Sequence, residues 1–273
     1  MFPRWLSILA AIGGSAVISL GMVLQKKGVP WLKWKGVKDH SYARLKAIWI
    51  TGFILNNLLA VFYFFALKAL SSAVVGAMMG LNIVFSAFFS ALVLKEQLSK
   101  RMAAGSLALV GFIGLANISA PPYEGSAPPA LGVIALFFLA PYALVAAVLT
   151  AKRFLRLHTE AYALAFAAAA GALEGFIIIL IKAMQASAGT SLLSYLGTPY
   201  PYMYAVATLS VLSLLQIAYA HGRMTKTGPV LWGMQIFYPV AISYAAFAVP
   251  FVPAQLASFA GIVACVVIIQ SKR

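Results

Sequence analysis

The placement of twenty Lys and Arg residues between long apolar runs constrains this chain more than any other feature. The 273 residues break into nine such runs, at 5–24, 47–67, 73–94, 102–119, 130–151, 162–181, 203–220, 229–249 and 252–270. Each is close to the length that carries a helix across a ~30 Å hydrocarbon layer. The linkers alternate between basic and nearly uncharged. Seventeen of the positive charges fall in the first, third, fifth and seventh linkers and the C-terminal tail, leaving Arg4, Lys68 and Lys182 for the opposite side. Lys and Arg resist translocation, so the basic side is expected to be cytoplasmic, with the N-terminus outside and the C-terminus inside.

At 63% apolar and 9% charged, the chain lies outside the range of ordinary soluble domains. In lipid a helix satisfies its own backbone polar groups, and these runs are too long for barrel strands. The expected class is therefore all-α integral membrane protein, one transmembrane domain over 1–273, in a cytoplasmic (inner) membrane of bacterial type. The net charge of +15 is read as cytoplasmic loops meeting anionic head groups, with no nucleic-acid partner. Cys265 is the only cysteine, so it is expected to pack as a small hydrophobe. The start Met1 to Arg4 looks signal-like, but the run after it is a full span without an obvious cleavage site and is read as a retained helix.

A Pro-rich linker from Pro121 to Pro129 cannot continue a helix and divides the chain into halves, 1–120 and 129–273. In the first basic linker, Trp31, Leu32 and Trp34 alternate with lysines, the pattern of a surface-lying amphipathic stretch. The linker 185–202 has room for a short capping helix. Helix three carries Gly80-Leu81-Asn82-Ile83-Val84-Phe85 and helix eight carries Gly233-Met234-Gln235-Ile236-Phe237-Tyr238, a constant offset of 153. With nine spans, helices one to four and six to nine run in opposite senses. An inverted repeat is expected, with helix five extra and a substrate site near the midplane where the halves meet.

Phe64-Phe65-Ala66-Leu67-Lys68-Ala69-Leu70-Ser71 resembles the "YALKYLSA" turn of the drug/metabolite transporter superfamily. Leu94-Lys95-Glu96-Gln97-Leu98 is similar to its "GERL" helix end, and Gly105 through Gly111 to Gly114 resembles the small-residue helix that follows. The nine-helix form, with Gln25-Lys26-Lys27-Gly28 closing helix one, looks most like NIPA-type magnesium transporters. Two departures separate the chain from that subtype. Helix two has Asn56 and Asn57 where a carboxylate tends to occur, and the loop after helix eight reads Val249-Pro250-Phe251-Val252-Pro253 without a Glu.

Glu174 is the sharpest candidate for chemistry. It is the only acid deep in a span, and a lone carboxylate at that depth costs several kcal/mol unless paired, hydrated or protonated. Such a site suits a proton-coupled carrier; the structural alternative is a hydrogen bond that ties helices together. Gly171-Ala172-Leu173-Glu174, with Lys182 eight residues on, is similar to the first helix of small multidrug resistance exporters, whose glutamate binds proton and cationic substrate in competition. Lys182 itself is expected to snorkel to water. Asn56, Asn82, Gln216 and Gln235 are amides in apolar helices, where they either bridge helices or face a solute. Trp232, Gln235 and Tyr238 share a stripe at i, i+3 and i+6, and Asn56 and Tyr63 share a face at i, i+7. Aromatics with amides suit an organic solute or a lipid head group better than a bare divalent ion, which wants several carboxylate or carbonyl oxygens. Pro141 and Pro239 are candidate hinges, static kinks being the alternative. Glu96 is read as an interfacial ion-pair partner.

His158 and His221 lie in basic loops, and no metal-site spacing occurs. Neither a phosphate-binding loop nor a nucleophile–base pair inside a span is present, so ATP coupling and enzyme activity are not expected, and no cofactor is called for. The expected function is a secondary active transporter, coupled to protons through Glu174, moving a small cationic or amphipathic organic solute. Glu174 is assigned to coupling, and Asn56, Tyr63, Asn82, Gln216, Trp232, Gln235 and Tyr238 to substrate. Alternatives are a Mg²⁺ or other divalent-cation transporter, a lipid flippase and a non-transporting scaffold. A homodimer is allowed for.

Overall fold

Every apolar run becomes helix, but two of the spans are broken. In the computed structural model, residues 2–28, 40–95, 100–119, 129–155, 159–188, 192–221, 224–247 and 252–270 are described. Span one is α1 (Arg4–Gly28). Span two is α2 (His40–Asn57) followed by α3 (Leu59–Ala66), and span three is α4 (Ser72–Met78) followed by α5 (Leu81–Leu94). Then come α6 (Lys100–Ile118), α7 (Leu131–Leu155) and α8 (Thr159–Ala188) as spans four to six. After the short α9 (Leu192–Tyr195), spans seven to nine are α10 (Tyr200–His221), α11 (Met224–Ala246) and α12 (Pro253–Gln270). No strand occurs among the described residues. The all-α membrane architecture expected from the apolar runs is the one observed, and α9 falls in the linker expected to hold a short capping helix.

The breaks lie at neither candidate proline: α7 runs unbroken through Pro141, and α11 through Pro239. Span two is interrupted at Leu58, where the Asn57 side chain donates to Phe53 O at 2.8 Å. An amide that back-bonds four residues competes with the helix's own ladder. Span three is interrupted at Met79 and Gly80, where the bonds shorten to three-residue steps: Gly80 N to Ala77 O, and Asn82 N to Met79 O. Such discontinuities are tolerated at membrane depth where protein, rather than lipid, surrounds the backbone.

Interactions between ends remote in sequence sort the two faces of the bundle. At one end Ser7 bonds Phe65 O, Lys182 bonds Leu67 O, and Gln255 bonds Ala116 O. Ala130 N bonds Ala246 O at the same end. At the other, Gly28 lies against Trp49 and Tyr162 against His221. Alternating spans put these residues at matching ends. Lys182 does not snorkel to water as expected. It is 4% exposed and donates to Leu67 O at 2.9 Å, because α8 runs on to Ala188 and carries its outer turns against the end of span two.

Span six is the central post. Buried residues make up 78% of its apolar window, against 11% for span five. It packs on spans five, seven and eight and on α3 and α4, while span one packs on spans two and three, and span four on span nine. Spans one, two and three thus associate as spans six, seven and eight do. The likeness extends to single residues. Ser15 and Ser19 donate to Met78 O (3.4 Å) and Asn82 O (3.0 Å). In the second half Gly171 lies against Leu231 O, and a Cβ at Gly175 would come 2.6 Å from Gln235 O. Met78 and Leu231, like Asn82 and Gln235, are 153 apart in sequence. Small residues one turn apart let the backbones approach in both halves.

Candidate functional site

Five spans meet around a polar cluster. Asn82, at the break of span three, and Gln235, in span eight, are both 0% exposed. Neither faces lipid, and neither side-chain amide finds a hydrogen-bond partner among the described residues. Tyr63 of α3 is equally buried. Ser15 and Asn82 lie beside its phenol, with Glu174 within electrostatic range, and its oxygen has no well-formed hydrogen bond among the described residues. The Ser86 hydroxyl, one turn from Asn82, is also buried and unpaired. Buried polar groups are paired in the great majority of cases, so six unpaired atoms on spans two, three and eight mark out the interior of the bundle.

Glu174 enters the cluster from span six. It is buried, and Gly175 beside it sets the level: its Cα packs on Gln235 O and on Pro239 Cδ, a Cβ there falling 2.6 and 2.7 Å away. Pro239 has no N–H for the carbonyl four residues earlier, that of Gln235, so this oxygen is left free of the helix ladder. Gly76 of α4 lies against the other side of the Pro239 ring, and Ser72 and Ser243 share a hydrogen bond at 2.5 Å one turn further out. Spans three and eight therefore cross antiparallel, joined through α4. α11 packs along α4 and not comparably along α5, so the closure lies toward the Lys182 end.

The remaining candidates are placed differently. Tyr238 shares the stripe of Gln235 but turns toward span five, donating to Phe137 O at 2.5 Å and meeting the rings of Phe137 and Phe176. Trp232 is half-buried. Asn56 is half-buried too, with its backbone against Gly21, and it belongs to the seam between spans one and two rather than to the cluster. The side chain of Gln216 lies outside the described residues, as do Trp31, Leu32, Trp34, Glu96, His158 and residues 121–128 of the Pro-rich linker. Sequence reading missed Ser15 and Ser86; small hydroxyls in apolar helices carry no periodic signal. Among the described residues no three His, Cys, Asp or Glu side chains come together.

The turn between spans two and three is fixed locally. Lys68 is exposed, with its ammonium 5.0–5.3 Å from the ring centres of Phe2, Phe64 and Phe65, within cation–π range. Ser71 caps α4 by accepting from Val74 N at 3.3 Å. These are the residues that resemble the drug/metabolite transporter turn. Residues 3–119, which cover spans one to four, match the EamA-like transporter family, part of the drug/metabolite transporter superfamily. Over this segment the chain is similar to the EamA-like transporters. No curated protein and no solved structure matches it. With five helices among the described residues long and apolar enough to cross a membrane, the chain is an integral membrane protein whose first four spans resemble this family.

Proposed function

We propose that this EamA-like protein is a secondary active transporter working by alternating access, proton-coupled through Glu174. Its cargo is a small cationic or amphipathic organic solute, bound at Asn82, Gln235 and Tyr63. The observation that carries this is the group of buried, unpaired polar atoms beside one carboxylate. Each such atom costs about 1–3 kcal/mol when left unpaired. Six of them weigh heavily in a fold whose net stability is of order 5–15 kcal/mol, so they are retained for a solute that pairs with them. Two carboxamides and a phenol offer donors and acceptors with apolar walls, and Glu174 supplies the single charge. A divalent cation would want several oxygen ligands of carboxylate or carbonyl type, and this cluster offers one carboxylate. The inverted repeat, with halves 1–120 and 129–273, supplies the two-fold framework for alternating access. It is supported by the matched packing of Ser19 on Asn82 and Gly175 on Gln235.

The test is uptake of a panel of organic cations into proteoliposomes, with and without an imposed pH gradient. Wild type should respond to the gradient. Glu174→Gln should insert and exchange solute down its own gradient but ignore the pH gradient. If the two respond equally, Glu174 ties helices together and coupling lies elsewhere.

A further inference from the structure

The last carbonyls of a helix have no N–H of their own helix to accept from. At the end of span two, three carbonyls accept from side chains of other spans, Phe65 O in addition to a turn bond from Lys68 N. Phe64 O accepts from Gln185 Nε2 at 2.6 Å, Phe65 O from Ser7 Oγ at 3.0 Å, and Leu67 O from Lys182 Nζ at 2.9 Å. Two of the three donors sit on span six, in the other half of the chain. A cation at a helix C-terminus is held by the carbonyl dipoles as well as by the hydrogen bond, and this one is buried. Leu67 lies one turn from Tyr63, and Lys182 two turns from Glu174. The Tyr63–Leu67 segment of α3 and the Glu174–Lys182 segment of α8 therefore meet at the cap, and at their other ends Tyr63 and Glu174 lie within electrostatic range of each other.

We propose that Lys182 is the positioning residue of a gate. Its bond to Leu67, seconded by Gln185 on Phe64, clamps α3 to span six, holds Tyr63 beside Glu174 and Asn82, and closes the cluster toward the Lys182 end. The inference rests on the alternating-access reading. The Ser72–Ser243 bond and the contact of Gly76 with Pro239 close the same end between spans three and eight. Opening there requires α3 to part from α8, and a buried ammonium makes that parting a two-state event: it bonds the helix end or it reaches water.

Ser15, beside Tyr63, supplies the reporter. A Ser15→Cys, Cys265→Ala protein is treated with a charged, membrane-impermeant methanethiosulfonate in right-side-out and inside-out vesicles. The thiol introduced at position 15 should react from the Lys95 end and be protected from the Lys182 end. Lys182→Met should raise the rate from the Lys182 end at least ten-fold, Gln185→Leu by less, and Lys182→Arg should restore protection, which a merely structural role would not require. If Lys182→Met fails to insert, Gln185→Leu decides alone. Reaction from the Lys95 end with no increase from the Lys182 end in either folded variant overturns the gate alone. So does Lys182→Arg reacting as fast as Lys182→Met. No reaction from either end in any variant overturns the central path, and the gate with it.

Discussion

The Ser19 hydroxyl donates to the backbone carbonyl of Asn82 at 3.0 Å, holding the break of span three against span one. In the second half Gly175 takes the corresponding place against Gln235 O. One half uses a hydrogen bond and the other a bare close approach, and this difference has consequences for stability. Gly175→Ala would put a Cβ 2.6 Å from a backbone oxygen and 2.7 Å from Pro239 Cδ, neither of which can swing aside. We expect it to cost about 1–3 kcal/mol, the usual range for overpacking. Gly111→Ala, with nothing within 4 Å, should be neutral or stabilising by up to about 1 kcal/mol through helix propensity. Thermal unfolding in detergent separates the two; equal midpoints would mean that spans six and eight are not in this contact.

Removing the polar atoms of the cluster should separate stability from function. Asn82→Leu deletes two buried, unpaired polar atoms, so stability should hold or rise by about 1–3 kcal/mol, while transport falls at least ten-fold. An amide that bridged helices would behave in the opposite way, costing about 0.6–2 kcal/mol on removal. The measurements are the unfolding midpoint and initial uptake rate of the same purified variant. Loss of both together would make Asn82 a structural tie.

Much of the bundle was legible because a bilayer leaves few choices: an apolar run of span length becomes a helix. The breaks were not legible. Nothing in the composition of span three marks Met79–Gly80 as a discontinuity. The carbonyls on either side of it, of Met78 and Asn82, accept from Ser15 and Ser19, 63 residues earlier in sequence. The prolines offered a choice of hinge or static kink, and Pro239 is held between Gly76 and Gly175 inside a continuous helix. The fate of Lys182 was hidden for the same reason. Periodicity assigns a residue to a face but not to a partner 115 positions away, and Tyr238 shares the stripe of Gln235 while bonding span five.

Lys95 closes span three in the left-handed conformation, φ 58°, its N–H donating to Ser90 O. A side chain there costs roughly 1–2 kcal/mol that glycine avoids. Lys95→Gly should therefore raise stability by about 1 kcal/mol, offset in part by glycine's greater freedom in the unfolded chain, with transport unchanged. A lowered unfolding midpoint would show that the Lys95 side chain contributes more than its backbone strain.

Orientation in the membrane follows from charge alone, and it decides which way the gate at Lys182 faces. Lys182, Lys68 and Arg4 gather at one end of the bundle, whereas Lys27, Lys46, Lys95 and Lys100 lie toward the other. With seventeen of twenty positive charges assigned to the second face, that face should be cytoplasmic. Single cysteines introduced at Ser126 and Ser191 in a Cys265→Ala background should react with an impermeant reagent added outside intact cells. Cysteines at Ser99, Thr159 and Lys226 should react only after permeabilisation. Thr159 is the informative position, since it begins span six and so fixes the direction of the helix that carries both Glu174 and Lys182. Labelling there from outside would invert the bundle and turn the proposed outer gate into a cytoplasmic one. The charge asymmetry would then have to reflect binding of anionic lipid rather than the sidedness of insertion.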